Sequence, residues 1–200
     1  MPKIALLCSG DPVLPQGLQD PRILPLPDDV LAHPHALDRY RAILIGMHAD
    51  QRWLRRHQAS LEAFLDAGNT VVVSGQIATP FLEDLRPFEV LDPMTLERLE
   101  IEIAVPDHPI FVGVEPDDLT KRRGVAGFYG LGGHRPPAGA QVLTTLAAGV
   151  LALDWLVTRP SGGRLLVHAG NDLWSYAAFG DAESTATRLA PQLLDWLSAA

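Results

Sequence analysis

Short, uninterrupted apolar runs alternate along the chain with amphipathic stretches, and Pro- and Gly-rich breaks separate them. Ile4-Ala5-Leu6-Leu7-Cys8 and Ala42-Ile43-Leu44-Ile45 are continuous apolar segments. Runs of this kind mark strands buried on both faces, which belong to parallel sheets. The pattern predicts strands over residues 3–8, 41–47 and 70–74, and a short one over 22–26. Asp50 stands where a helix N-cap is needed, and Trp53, Leu54, His57, Leu61, Phe64 and Leu65 share one stripe at helical spacing. Gly68 supplies the stop. Strand, helix and strand within about 35 residues make a βαβ unit, whose crossover is right-handed in nearly all proteins. Residues 28–40 are expected to hold a short helix broken at Pro34.

The second half changes character. Leu99, Ile101, Ile103 and Val105 alternate with Arg98, Glu100 and Glu102, so residues 96–105 read as a strand with one wet face. Residues 124–130 are a second antiparallel or edge strand, with a short helix over 117–123 between the two. The Gly- and Pro-rich stretch 130–139 is expected to be loop. Three more strands are predicted over 141–147, 153–158 and 164–168, the last two joined by the turn Pro160-Ser161-Gly162-Gly163. An amphipathic helix over 182–198 places Leu189, Leu193, Leu194, Trp196 and Leu197 inward. The expected fold is α/β: a flavodoxin-like three-layer sandwich with a mostly parallel sheet and additional antiparallel strands. Residues 1–200 form a single domain in this reading.

Composition narrows the function classes. The net charge is −8, and the densest cationic run is Lys121-Arg122-Arg123. That run is too short to track a polyanion, so nucleic acid is not an expected partner. The negative balance also argues against an anionic membrane surface, and no apolar stretch reaches the roughly 18 residues that span a bilayer. The apolar run before Ser9-Gly10-Asp11 is too short for a signal-peptide core and reads as a buried first strand. Cys8 is the one cysteine. No intrachain disulfide can form, and the cytoplasm is the expected compartment.

In an open parallel sheet, ligands bind outside the carboxyl ends of the strands. The residues that follow the predicted strands are therefore the candidates: Ser9-Gly10-Asp11, His48-Ala49-Asp50, Gly75-Gln76-Ile77 and Ala169-Gly170-Asn171-Asp172. His48, Gln76, His168, Asn171 and Asp172 are the expected ligand contacts. His168 and Asp172 are the candidate acid/base pair, with no catalytic residue assigned beyond them. Each residue also has a structural reading, since Asn and Asp cap turns and Asp50 caps a helix. His33, His35 and Asp38 lack a further ligand at metal-site spacing, and no metal is expected. Gly132-Gly133 follows no strand-then-helix signal, so no dinucleotide cofactor is expected.

Several stretches resemble the class I glutamine amidotransferase-like superfamily. They are Gly46-Met47-His48 after a strand, Asp66-Ala67-Gly68-Asn69 closing a helix, and Thr70-Val71-Val72-Val73-Ser74-Gly75. Asp107-His108-Pro109-Ile110-Phe111-Val112-Gly113 is similar to a turn of its trehalose-utilisation-type branch. Gly162-Gly163-Arg164-Leu165-Leu166-Val167-His168 is similar to the strand that delivers the triad His. The resemblance spans residues 1–80 and 105–175, and it implies the flavodoxin-like fold. An active member carries Gly-x-Cys-x-Gly at the elbow and His-x-Glu later, so that a thiolate attacks the glutamine amide. This elbow reads Gly75-Gln76-Ile77-Ala78-Thr79, His168 is followed by Ala169-Gly170, and Cys8 lies on another strand. Cys-triad glutaminase activity is expected to be absent.

The leading expectation is a non-amidotransferase member that binds a small polar ligand at the strand ends. The alternatives are a catalytically silent scaffold or assembly subunit, as a homodimer or in a larger assembly, and a His/Asp hydrolase without a Cys nucleophile. A crevice plugged by Trp174 or Tyr176 would favour the scaffold.

Overall fold

The apolar runs assemble as strands of one ten-stranded sheet, with a separate two-stranded hairpin beside it. A computed structural model describes residues 4–15, 18–33, 35–177 and 183–199. In chain order the strands are β1 (Ile4–Cys8), β2 (Ile23–Pro27), β3 (Ala42–Ile45), β4 (Thr70–Ser74), β5 (Phe88–Val90) and β6 (Ile101–Ile103). They continue with β7 (Lys121–Arg122), β8 (Val125–Ala126), β9 (Gly132–His134), β10 (Gln141–Leu146), β11 (Leu151–Thr158) and β12 (Arg164–His168). The α-helices are α1 (Gln51–Arg56), α2 (Gln58–Asp66), α3 (Pro116–Thr120) and α4 (Leu189–Ser198).

Strands β2, β1, β3, β4 and β12 lie side by side and all pair in parallel. Taking β12 as the fifth, this is the flavodoxin-like order 2-1-3-4-5. Antiparallel β11, β10 and β6 then extend the sheet, and β9 pairs with both β11 and β5. Alternation along the parallel strands sends Ile43, Ile45, Val71, Val73, Leu165 and Val167 to one face. There they meet Leu54, Leu61, Phe64 and Leu65 of α1 and α2. Leu6, Leu44, Val72 and Leu166 face the other way, against Leu189, Leu193 and Leu197 of α4 and against Leu173 and Trp174. Three layers result, and the sheet is the middle one.

At the β2 edge, the Ile4 N–H donates to the Arg22 carbonyl at 3.1 Å. Alternation from that bond turns Pro25 and Pro27 outward, so the free edge lacks two of its donors and resists strand addition.

The structure departs from the sequence pattern in several places. The helix capped by Asp50 breaks at His57, whose backbone leaves the helical region (φ −108°, ψ 21°). The His57 ring packs on Trp53 with centroids 4.1 Å apart, and α2 restarts beyond it. Of residues 96–105, only Ile101–Ile103 join the sheet. A 3-10 turn, Glu97–Leu99, precedes them, and the Ile101 N–H is taken by the Thr120 hydroxyl at 2.9 Å. The helix expected over 117–123 stops at Thr120, because Lys121 and Arg122 pair with Ala126 and Val125 around a turn at Arg123 and Gly124, both with positive φ. That hairpin is all that remains of the strand expected over 124–130.

The stretch 130–139 is not all loop: Gly132–His134 threads between β5 and β11. A Cβ on Gly132 would strike the Glu89 carbonyl, and one on Gly133 the Ala152 carbonyl, so only glycine permits the approach. Finally, a 3-10 turn at Thr185–Arg188 leads into α4. Lys3, the expected helix break at Pro34 and the helix start at Ala182 lie outside the described residues.

Candidate functional site

The register at the carboxyl ends aligns one polar row across four strands. Ser74 on β4 pairs with His168 on β12, His168 with Asp154 on β11, and Asp154 with Thr144 on β10. The Asp154 carboxylate accepts from His168 Nδ1 at 2.8 Å, from the Tyr129 hydroxyl at 2.7 Å, and from the Thr144 hydroxyl. The Tyr129 ring stands edge-on to the His168 imidazole, centroids 4.6 Å apart. His168 and Asp154 are both 0% exposed. Burial, with Asp154 alongside, pushes the Tyr129 hydroxyl well above its ordinary pKa, so it remains a donor.

Two atoms in this row have no partner: Ser74 Oγ and His168 Nε2. Gly170 closes over the imidazole. A Cβ there would come within 2.7 Å of His168 Nε2 and would overlap the Tyr129 carbonyl oxygen. His168 therefore does not line the crevice, contrary to the expectation for a ligand contact. Its Nδ1 is committed to Asp154, and its other nitrogen is sealed. The reason is the antiparallel partner: β11 sets a buried carboxylate beside the histidine, and the imidazole turns inward to meet it.

The elbow is closed in the same manner. The Ile77 N–H donates to His134 Nε2 at 3.3 Å, and the Ile77 side chain is buried in the α1–α2 layer. His134 is itself buried with Nδ1 unpartnered. Burial, and secondarily the nearby His168, lowers its pKa to about 4. An apolar side chain thus fills the elbow after β4.

The remaining candidates gather at the rim. Asp172 lies over Gly46, where a Cβ would be 3.2 Å from both carboxylate oxygens, and it accepts the Met47 N–H at 2.7 Å. Burial raises the Asp172 pKa, while the Met47 bond and, secondarily, the nearby His48 and His168 oppose the rise. Asn171 Nδ2 donates to the Phe128 carbonyl at 2.9 Å. Gln76 and His48 are exposed, and the Gln76 carbonyl accepts from Gln51 Nε2 at 2.9 Å. Gln76, Asn171, Met47, Gly170 and Leu131 line a cavity of about 170 Å³. Ligand pockets are commonly about 300–1,000 Å³. Trp174 and Tyr176 are buried just beyond Asp172. Gln76 and Asn171 are thus brought together, Asp172 is tied to the Met47 backbone, His48 is exposed, and His168 lies buried.

Asp50 accepts from the N–H groups of Arg52 and Trp53, a helix cap as its position suggests. At the switch point between β1 and β3, Ser9 donates to Asp28 at 2.8 Å and accepts from the Asp50 N–H at 3.0 Å. Among the described residues, no group of three or more His, Cys, Asp or Glu is set to hold a metal ion, and no helix is long and apolar enough to cross a membrane.

Sequence reasoning missed Ser74, Tyr129, His134, Thr144 and Asp154. Asp154 carried the clearest signal: it is the lone charge in the apolar strand Leu151–Thr158. A carboxylate buried at such a position requires donors.

No family model matches the chain, and no curated protein matches it. Among solved structures, the chain is similar to the mmIFT52 N-terminal domain, with a TM-score of 0.58 over 98% of this chain and 97% of that one, at 12% identity. At that identity the likeness bears on fold alone. It agrees with a mixed α/β, flavodoxin-like three-layer sandwich.

Proposed function

We propose that the protein is a catalytically silent member of the glutamine amidotransferase-like superfamily that works through protein contacts at the carboxyl face of its sheet. One observation carries this reading: the polar row beneath the strand ends is sealed. A general base must reach the proton it abstracts, and both ring nitrogens of His168 are closed to substrate. The His168–Asp172 hydrolase is disfavoured on the same ground, and glutaminase chemistry has no nucleophile at Ile77.

The carboxyl face offers apolar surface in place of a deep crevice. Leu96 is 76% exposed and Val150 69%, and Val90, Met94 and Leu131 are exposed near them. The Leu91 N–H bond to the Leu131 carbonyl and the Ala147 N–H bond to the Arg98 carbonyl hold these segments together. Clustered exposed apolar groups mark contact surfaces. The partner is a second copy of the chain, because a two-fold contact requires only that this patch complement itself. Sedimentation velocity across a concentration series tests it. The wild type should self-associate, and Leu96→Asp/Val150→Asp should be monomeric with an unchanged melting temperature. A wild type that stays monomeric throughout, or a double variant that associates equally well, overturns the proposal.

A small polar ligand at the strand ends is the second reading, favoured by Gln76 and Asn171 lining one cavity. It requires Asn171→Ala to weaken binding of a carboxamide probe such as glutamine, with little loss of stability.

A further inference from the structure

The opposite end of the sheet carries a larger opening. The turn Asp28–Ala32, residues 35–41 and α2 line a cleft of about 660 Å³ at the amino ends of β3 and β4. That volume is in the range of small-molecule pockets, and the cleft faces away from the strand-end site. Its floor is apolar: Leu31, Leu37 and Phe64 are buried, and Ala59 and Ala63 of α2, with its cap residue Ala67, present small side chains. Ser60 Oγ donates to the Leu31 carbonyl at 2.9 Å, which ties the turn to the helix and holds the two walls at a fixed spacing.

Two polar groups stand side by side at one end of this floor. The β3–β4 register continues back from Ala42↔Thr70 to Arg41 and Asn69, and the Thr70 N–H donates to the Arg41 carbonyl at 3.0 Å. Both side chains leave the sheet on the α2 side, with Ile43 and Val71. The Arg41 side chain is exposed, and among the described residues its guanidinium has no hydrogen bond or ion pair. Asn69 Nδ2 donates to the Phe64 carbonyl at 3.2 Å, which fixes the amide and leaves Oδ1 as a buried acceptor without a partner. On the far rim, His35 is occupied by Asp38 at 2.9 Å, so that carboxylate is already engaged.

An unpaired guanidinium prefers a carboxylate, which it can grip through two N–H groups. An uncommitted amide oxygen requires an N–H or O–H donor. Adjacent strands set the two backbones about 5 Å apart, and the long Arg41 side chain lines the same cleft as Asn69, so a ligand whose carboxylate and N–H donor are separated by a single carbon meets both. We infer that the cleft binds a small amphipathic carboxylate of the N-acyl-α-amino-acid type. Its carboxylate pairs with Arg41, its N–H donates to Asn69 Oδ1 as the wall yields, and its apolar side chain lies on Leu31, Leu37 and Phe64. This site is independent of the contact face proposed above.

The probe is N-acetyl-L-leucine, titrated into ¹⁵N-labelled protein and followed by chemical-shift changes. Saturable shifts should map to α2 and to residues 31–41. N-acetyl-L-leucinamide, which lacks the carboxylate, should bind at least about tenfold more weakly, and so should 4-methylpentanoate, which lacks the N–H. Arg41→Gln should weaken N-acetyl-L-leucine by about tenfold or more. Ala63→Trp, a change at an exposed helix position that fills the cleft, should abolish binding. Both variants should keep the wild-type melting temperature and sedimentation behaviour. The inference is overturned by the absence of saturable shifts, by shifts confined to the carboxyl face, or by affinities that survive Arg41→Gln and Ala63→Trp.

Discussion

Replacing Asp154 with alanine tests whether the sealed row is a structural network. The carboxylate accepts from His168, Tyr129 and Thr144. Removing it strands three donors in a region closed to water. Each stranded group costs about 1–3 kcal/mol. Some relaxation will occur, so the combined loss should be about 3–6 kcal/mol, a large part of a typical domain's 5–15. Asp154→Asn keeps the shape and can still accept from Tyr129 and Thr144. Its amide N–H groups then face the His168 N–H, and the imidazole must move its proton to Nε2, where no acceptor waits. Its cost should be smaller, about 1–3 kcal/mol. Urea unfolding reads both losses, through the emission of the buried Trp155 and Trp174 and through far-ultraviolet circular dichroism as a second probe. An Asp154→Ala loss below about 1 kcal/mol with an unchanged denaturant slope would refute the reasoning, as would an Asn variant no more stable than the Ala one.

Other perturbations probe neighbouring parts of the argument. His134 has a folded pKa of about 4, below its unfolded value, so the unfolded chain binds the extra proton between about pH 6.5 and 4. The stability contributed by neutral His134 is complete above that window and is lost as pH falls through it, by up to about 3 kcal/mol. Urea midpoints that did not fall more steeply for the wild type than for His134→Asn over this window would count against it. Gly170→Ala should destabilise by about 3 kcal/mol or more, since the methyl overlaps the Tyr129 carbonyl oxygen; a wild-type melting temperature would be inconsistent with the close approach. Arg159 holds Glu62, Asp66 and Asp84 at 2.6, 2.9 and 3.1 Å, so Arg159→Met should cost about 1–3 kcal/mol, and the cost should shrink in high salt as the three stranded carboxylates are screened. Burial raises the Cys8 thiol pKa, so modification by a disulfide reagent at pH 7 should be much slower than in urea; equal rates would show a reactive thiolate.

Most of the parallel half of the sheet was legible because β1, β3, β4 and β12 are short and buried on both faces. Thr70–Ser74 needed no tertiary context, since four β-branched residues bounded by Asn69 and Gly75 have no competing period. The antiparallel excursion was harder to read. Gly132–His134 has the composition of a loop, and its strand character comes from the two backbones that press on it. Alternation over residues 96–105 looked like a long strand, yet only the part opposite β10 can pair. Local pattern states which face a residue prefers. It does not state how many neighbours are present to complete the ladder.

The candidate site shows the same division at the level of single side chains. Position along the chain placed Gln76, Asn171 and Asp172 at the carboxyl edge, and they lie there. It could not show which way His168 turns, because that depends on the residue across from it on an antiparallel strand distant in sequence. In a wholly parallel sheet the histidine at that strand end would face other strand ends and the solvent. Here β11 returns beside β12 and presents Asp154, while Gly170 lets the chain fold over the ring. The charge pair and the cover act together. Without Asp154, the buried imidazole would lose its one hydrogen-bond partner among the described residues; without Gly170, it could not be covered. Two orphaned atoms remain beneath that cover, Ser74 Oγ and His168 Nε2, on adjacent strands and the same face. Burying them without partners has a cost, and the fold bears it because Leu173 and Trp174 complete the apolar layer against α4 directly above. The strand end has thus given up access in favour of packing.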